Sequence, residues 1–141
     1  MTFFRQGSTR NLSEIKIVHL YRLGAVIWLL TIIALLFLPG DDLPDVQYLP
    51  HQDKLIHFVL FSVYSFLWLS GFYRVHNLGG RVSASIILGF GVFTAVLTEW
   101  IQQRVPGRQG DLIDMLLDLI GLAAGAIFYF LLEKRNHSAK N

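Results

Sequence analysis

The sequence predicts an all-α, polytopic membrane protein with four transmembrane helices in an up-and-down antiparallel bundle and both termini cytoplasmic. Three observations carry that prediction. Of the 141 residues 53% are hydrophobic and only 16% charged, and a mean hydropathy of +0.48 is too high for an ordinary water-soluble domain. The apolar residues fall into four runs of about 20, the length that a ~30 Å hydrocarbon core requires. The basic residues divide unevenly between the two sides that such runs define.

The first run, about 18–38, ends Phe37-Leu38-Pro39-Gly40 without an Ala-x-Ala cleavage site, so it reads as a retained anchor rather than a signal peptide. Pro39-Gly40 stops it. The second run, about 55–73, follows Pro50; the third, about 82–101, follows Asn77-Leu78-Gly79-Gly80; the fourth, about 112–132, follows Pro106-Gly107. Connections this short force consecutive helices to lie antiparallel. Residues 1–17 and 133–141 are left as terminal segments around a membrane domain of 18–132.

Arg5, Arg10, Lys16, Arg22, Arg74, Arg81, Lys134, Arg135 and Lys140 share one side, against Lys54, Arg104 and Arg108 on the other. The positive-inside rule makes the first side cytoplasmic, and in a bacterium places the chain in the inner membrane. A pI near 9.1 therefore reflects topology, because no basic face interleaved with aromatics marks a nucleic-acid binder. The absence of cysteine removes disulfides, thiolate metal sites and Cys nucleophiles.

The functional signal is the stretch from Glu99 to Asp114, where eight of sixteen residues are polar or charged. Ionisable groups near hydrocarbon cost on the order of 3 kcal/mol by insertion scales, so a cluster of them marks a candidate site. Helical spacing gathers more. Asp53, Lys54 and His57 open the second helix, with Asp53 and His57 one turn apart; Glu99, Gln102 and Gln103 close the third. On the fourth, Asp111, Asp114, Asp118, Gly121 and Gly125 step by three and four residues, from a carboxylate mouth to a small-residue seam. The expectation is an outward-facing pocket mouth between the second, third and fourth helices, with a net charge near −2.

Each residue has a second reading. Asp53 and Asp111 stand where a carboxylate caps free amides, and capping and ligand binding are both open for them. Asp114 also lies in a first turn, but on the face that points towards Glu99 and His57. Asp118 lies too deep to cap and should pair with Arg108 or Lys54, or be protonated. Lys54 and Arg104 can snorkel to water. His57 has carboxylate neighbours without a second close histidine, so no metal or cofactor is predicted. His19, His51, His76 and His137 read as interfacial or loop residues. Arg108, in a turn framed by Pro106-Gly107 and Gly110, suits bidentate recognition of carboxylate or phosphate. Phe58, Phe61, Tyr64, Phe66, Trp68, Phe72 and Tyr73 read as packing and interface aromatics.

The order Asp53-Lys54-x-x-His57-Phe58, Glu99-x-x-Gln102, Pro106-Gly107-Arg108 and Asp114, followed by a glycine-containing helix, resembles the VanZ-like family of small bacterial membrane proteins. The resemblance covers about residues 50–130. It implies a four- to five-helix inner-membrane protein, the namesake being associated with resistance to the glycopeptide teicoplanin, and it implies no defined biochemical activity. One departure stands out: relatives usually carry Asn four residues after the motif aspartate, where this chain has Asp118.

Three functions fit. The first is a non-catalytic envelope protein that binds a membrane lipid or cell-wall intermediate through Asp53, Lys54, His57, Glu99, Gln102, Arg108, Asp111, Asp114 and Asp118. Lys54 and Arg108 would meet phosphate while the carboxylates and Gln102 hold hydroxyls or amides. The second is an intramembrane hydrolase or transferase on a lipid phosphate, with Glu99 or Asp114 as acid or base and His57 as proton shuttle. No nucleophile motif accompanies it. The third, proton-coupled transport or an accessory subunit, suffers from the small number of helices, which a homodimer would repair.

Overall fold

A computed structural model describes residues 12–37, 52–73, 80–106 and 110–138. It contains four α-helices: α1 (Leu12–Phe37), α2 (Gln52–Phe72), α3 (Gly80–Gln102) and α4 (Leu112–Ser138). Each is long and apolar enough to cross a membrane. Large apolar side chains face outward on all four, including Leu30, Phe93, Ile127 and Leu131. In water so broad an apolar surface would aggregate; against lipid tails it is the solvated surface.

Two boundaries differ from the hydropathy reading. α1 begins at Leu12 rather than near 18, and α4 continues to Ser138 rather than ending near 132. The apolar run marks only the part of a helix that lies in hydrocarbon. Lys16 at one end of the bundle and Lys134 and Arg135 at the same end lie on turns beyond it, and cations suit the C-terminus of α4. The proposed stops and turns at Pro39-Gly40, Pro50 and Asn77-Leu78-Gly79, together with Arg5, Arg10, Arg74, Lys140, His51 and His76, lie outside the described residues.

Consecutive helices are antiparallel, as short connections require. Arg22 Nε donates to Gly71 O at 3.0 Å, and six residues further along α1 Trp28 Nε1 donates to Leu60 O at 2.8 Å, further back along α2. α3 runs against α4, with Gly91 beside Leu122. The most extensive contact, however, joins two non-consecutive helices, α2 and α4, which run parallel. Its cause is the small-residue seam. A Cβ on Gly121 would lie 2.5 Å from Phe58 O, and one on Gly125 would collide with Ser62 O, so glycine alone lets the two backbones meet. The register this sets continues to Phe66 and Phe128, whose rings are 5.5 Å apart.

α2 is consequently the central element. Its Phe61, Tyr64 and Leu69 are buried, and Ile32 of α1, Ala95 of α3 and Leu122 of α4 close the core around Phe61 and Tyr64. The aromatics pack among themselves: Trp68 stacks on Phe72 at 4.9 Å, and Tyr73 meets Tyr129 edge-on at 5.5 Å.

Candidate functional site

The parallel register of α2 and α4 brings their first turns side by side, and the polar residues of both converge there. Lys54 turns inward rather than snorkelling to water. Its Nζ lies 2.9 Å from Asp111 Oδ2, 3.1 Å from Asp114 Oδ1 and 3.3 Å from Asp53 Oδ2. Three donors meet three carboxylates, so the ammonium is saturated within the protein.

Asp111 combines its two readings. Its Oδ1 accepts the Ile113 amide at 2.9 Å, capping α4, while its Oδ2 takes Lys54. The Lys54 ammonium and that amide hold the Asp111 carboxyl below the usual carboxylate range. Asp53 stays at the rim, with 62% of its side chain exposed.

One turn deeper the partner of Asp118 is His57, whose Nδ1 lies 2.9 Å from Asp118 Oδ1. The expected partners were Arg108 or Lys54. Arg108 lies outside the described residues, and Lys54 is held by the three aspartates nearer the mouth. The physical reason is register: helix α2 presents residues 54 and 57 one turn apart, so each meets its own level of the α4 stripe. Asp118 is wholly buried, and its Oδ2 has no hydrogen-bond partner among the described residues.

Glu99 enters this cluster from α3. It is 7% exposed and sits beneath Gly110, where a Cβ would come 2.8 Å from its Oε1. Neither carboxylate oxygen has a hydrogen-bond partner among the described residues; the Asp111 amide comes near without completing one. Gln103 and Arg104 face outward, with the Arg104 guanidinium 3.5 Å from the centre of the Trp100 ring.

The other side of His57 opens on a cavity of about 160 Å³ between α1, α2 and α3. Ile32, Leu35, Leu36, Ile56, Leu60 and Phe61 give it apolar walls; Asp53, His57, Thr98 and Gln102 supply its polar lining. Helical spacing alone puts the pocket between the second, third and fourth helices. Lys54, Asp111, Asp114 and Glu99 do gather between those helices, and this cavity lies beside them on the α1 side of α2. Thr98 and the three α1 residues are additions that the spacing does not anticipate. Thr98 is legible in principle, since Gly91, Thr94, Ala95, Thr98, Glu99 and Gln102 follow one buried helical face. His57 joins the two halves of the site: Asp118 fixes one ring nitrogen, and the ring lines the cavity. Among the described residues, no group of three His, Asp or Glu side chains is placed to hold a metal ion.

A family model described as VanZ/LLP1 matches residues 1–133. The chain belongs to the VanZ/LLP1 family. A similar protein is an uncharacterised one of the fission yeast Schizosaccharomyces pombe, 35% identical over 87 residues. The match takes in 61% of this chain and 51% of the yeast protein, so the chain spans about half the length of the curated relative it matches. No solved structure matches it. The VanZ-like motif residues Asp53, Lys54, His57, Glu99, Gln102 and Asp114 all lie at the polar end just described. At the position where the resemblance implies Asn, Asp118 accepts a hydrogen bond from His57 that an amide oxygen could also accept.

Proposed function

We propose that this VanZ/LLP1 protein holds a membrane lipid by its headgroup at the polar end of the bundle, and through that binding influences envelope properties such as glycopeptide susceptibility. One observation carries the reading. Among the described residues Lys54 is saturated by three aspartates, while Glu99 Oε1 and Oε2 and Asp118 Oδ2 are buried without a completed hydrogen bond. A buried acceptor left unpaired costs about 1–3 kcal/mol, more when charged, so the fold retains an electronegative site at a cost. Such a site suits a headgroup rich in hydroxyl or amine donors. A fungal relative favours a lipid, which every membrane carries, over a bacterial cell-wall intermediate.

Positive-inside counting supports cytoplasmic termini and a polar end on the opposite, extracytoplasmic face. Alkaline phosphatase activity from a fusion at Lys140 would contradict that orientation. Binding is tested by native mass spectrometry of the full chain released from nanodiscs of mixed polar lipids. The expected result is a one-lipid adduct reduced at least tenfold by Glu99→Gln and Asp114→Asn; no adduct with any lipid removes the proposal.

The Asp118–His57 pair favours a second reading, hydrolysis of a lipid ester or phosphate. With Nδ1–H donated to Asp118, Nε2 is free to take a proton from water, the geometry of a carboxylate-oriented general base. Nearby hydroxyls are engaged on their own helices, Ser62 with Phe58 O and Thr98 with Ala95 O, which leaves water as the nucleophile. Turnover of a labelled lipid that is abolished by His57→Ala while the adduct persists would raise this reading above binding alone.

A further inference from the structure

The geometry points to a lipid-tail slot between α1, α2 and α3, so that the ligand of this protein is a single-chain amphiphile with an uncharged or cationic hydrogen-bonding head. The inference rests on the headgroup reading above and adds the tail, the wall that receives it and the sign of the head.

The cavity of about 160 Å³ has the two-part chemistry of such a molecule. From α1, Ile32, Leu35 and Leu36 form one i, i+3, i+4 face; Ile56, Leu60 and Phe61 oppose them from α2. An apolar cavity of ~150 Å³ stays dry and takes up a hydrocarbon of benzene's size, so this one accommodates a segment of chain rather than a whole lipid. The cavity reaches the lipid-facing surface at Ile56, which lines it and is 46% exposed, so the remainder of the chain has a way out.

At the polar end the groups offered are the Asp53 carboxylate, two neutral acceptors and an amide. Thr98 donates its hydroxyl hydrogen to Ala95 O and keeps its lone pairs. His57 lines the cavity too, and with Nδ1–H donated to Asp118 its Nε2 remains an acceptor. Gln102, 8% exposed, can donate or accept. Behind them stand Asp111, Asp114, Asp118 and Glu99, with Lys54 already shared among Asp53, Asp111 and Asp114. A phosphate or carboxylate head would enter against that field; hydroxyl or ammonium hydrogens enter with it.

The test uses a monoacylglycerol carrying a diazirine in its acyl chain, photolysed with the full chain in nanodiscs and mapped by peptide sequencing. Labelling is expected on the stretches holding Ile32, Leu35, Leu36 and Leu60, and competed by unlabelled monoacylglycerol or a long-chain amine at least tenfold better than by lysophosphatidic acid of the same chain length. Leu36→Trp and Leu35→Trp, which fill the cavity, should cut labelling at least tenfold, whereas Ile127→Trp on the outer face of α4 should not. Label spread over outward residues such as Ile127 and Leu131, or competition by lysophosphatidic acid equal to that by monoacylglycerol, overturns the inference. Those two wild-type results decide it even if both filled variants fail to fold. If the native-mass adduct persists in folded Leu36→Trp but is lost in Glu99→Gln, the tail slot fails and the headgroup reading stands. Cavity labelling indifferent to Glu99→Gln and Asp114→Asn has the opposite meaning: the slot stands and the headgroup reading fails.

Discussion

Gly121→Ala perturbs the contact on which the whole polar end is mounted. The new methyl carbon would sit 2.5 Å from Phe58 O, about 0.9 Å short of the 3.4 Å at which ordinary contact begins, and Phe58 O belongs to a helix backbone that has no rotamer to change. α2 and α4 must therefore part by a comparable distance. His57 and Asp118 lie one turn away on the same two helices, and their 2.9 Å bond would lengthen beyond hydrogen-bonding range. Forcing a methyl into a packed seam costs about 1–3 kcal/mol. Breaking the His57 bond adds about 1–3 kcal/mol, and replacing glycine by alanine in a helix returns roughly 1 kcal/mol. The net expectation is a destabilisation of about 3 kcal/mol. Gly89→Ala supplies the control: nothing lies within 4 Å of its added Cβ, so only the propensity gain operates and stability should rise by roughly 1 kcal/mol. Reversible unfolding in mixed micelles, followed by circular dichroism, measures both. A Gly121→Ala variant as stable as Gly89→Ala would refute the backbone contact, and with it the register that sets Lys54 and His57 against α4.

Glu99→Gln should leave stability unchanged or raise it by about 1 kcal/mol while weakening lipid binding, because a buried carboxylate with no completed hydrogen bond among the described residues costs the fold stability; micellar unfolding and native mass spectrometry read the two effects separately. Asp118→Asn keeps an oxygen for His57 and should stay within about 1 kcal/mol of the parent, whereas Asp118→Ala, which abandons the histidine, should cost about 3 kcal/mol in the same assay. Trp28→Phe removes the donor to Leu60 O and should cost about 1 kcal/mol. Asp111→Asn preserves the cap but not the ion pair. Since the Asp111 carboxyl is held below its ordinary value of 3.8, the ion pair is fully present above that pH and is lost as pH falls through the lowered value. The difference in thermal midpoint between parent and Asp111→Asn should accordingly be flat from neutral pH down to about 5 and close only below about 4.

How much of this can be read from the sequence differs by level. The four spans are legible because hydrocarbon thickness fixes the length of an apolar run, and the α4 stripe because 3.6 periodicity places Asp111, Asp114, Asp118, Gly121 and Gly125 together. Gly121 and Gly125 signal close packing but not its partner. Short loops point to consecutive neighbours, whereas the tightest pair is α2 with α4, and the meetings of Gly121 with Phe58 O and of Gly125 with Ser62 O fix that register. The ion pairing follows from it. Spacing brings Lys54 to the same mouth as Asp111 and Asp114 but does not show that its ammonium bonds them rather than snorkelling, and it sets His57 beside Asp53 although His57 bonds Asp118. The cavity on the α1 side of α2 is not legible in the spacing, since Ile32, Leu35 and Leu36 carry no polar mark and read as lipid-facing.

Under the proposed function, Glu99 Oε1 and Oε2 and Asp118 Oδ2, which lack completed hydrogen bonds among the described residues, hold a lipid headgroup. The most direct measurement of that role is the lipid occupancy of the parent chain and of Glu99→Gln, purified identically and compared by native mass spectrometry alongside their unfolding midpoints. The expected result is a one-lipid adduct on the parent, at least tenfold reduced in a Glu99→Gln chain that is equally or more stable. Equal occupancy in the two, with stability lost in the variant, would make Glu99 a structural residue and contradict the account.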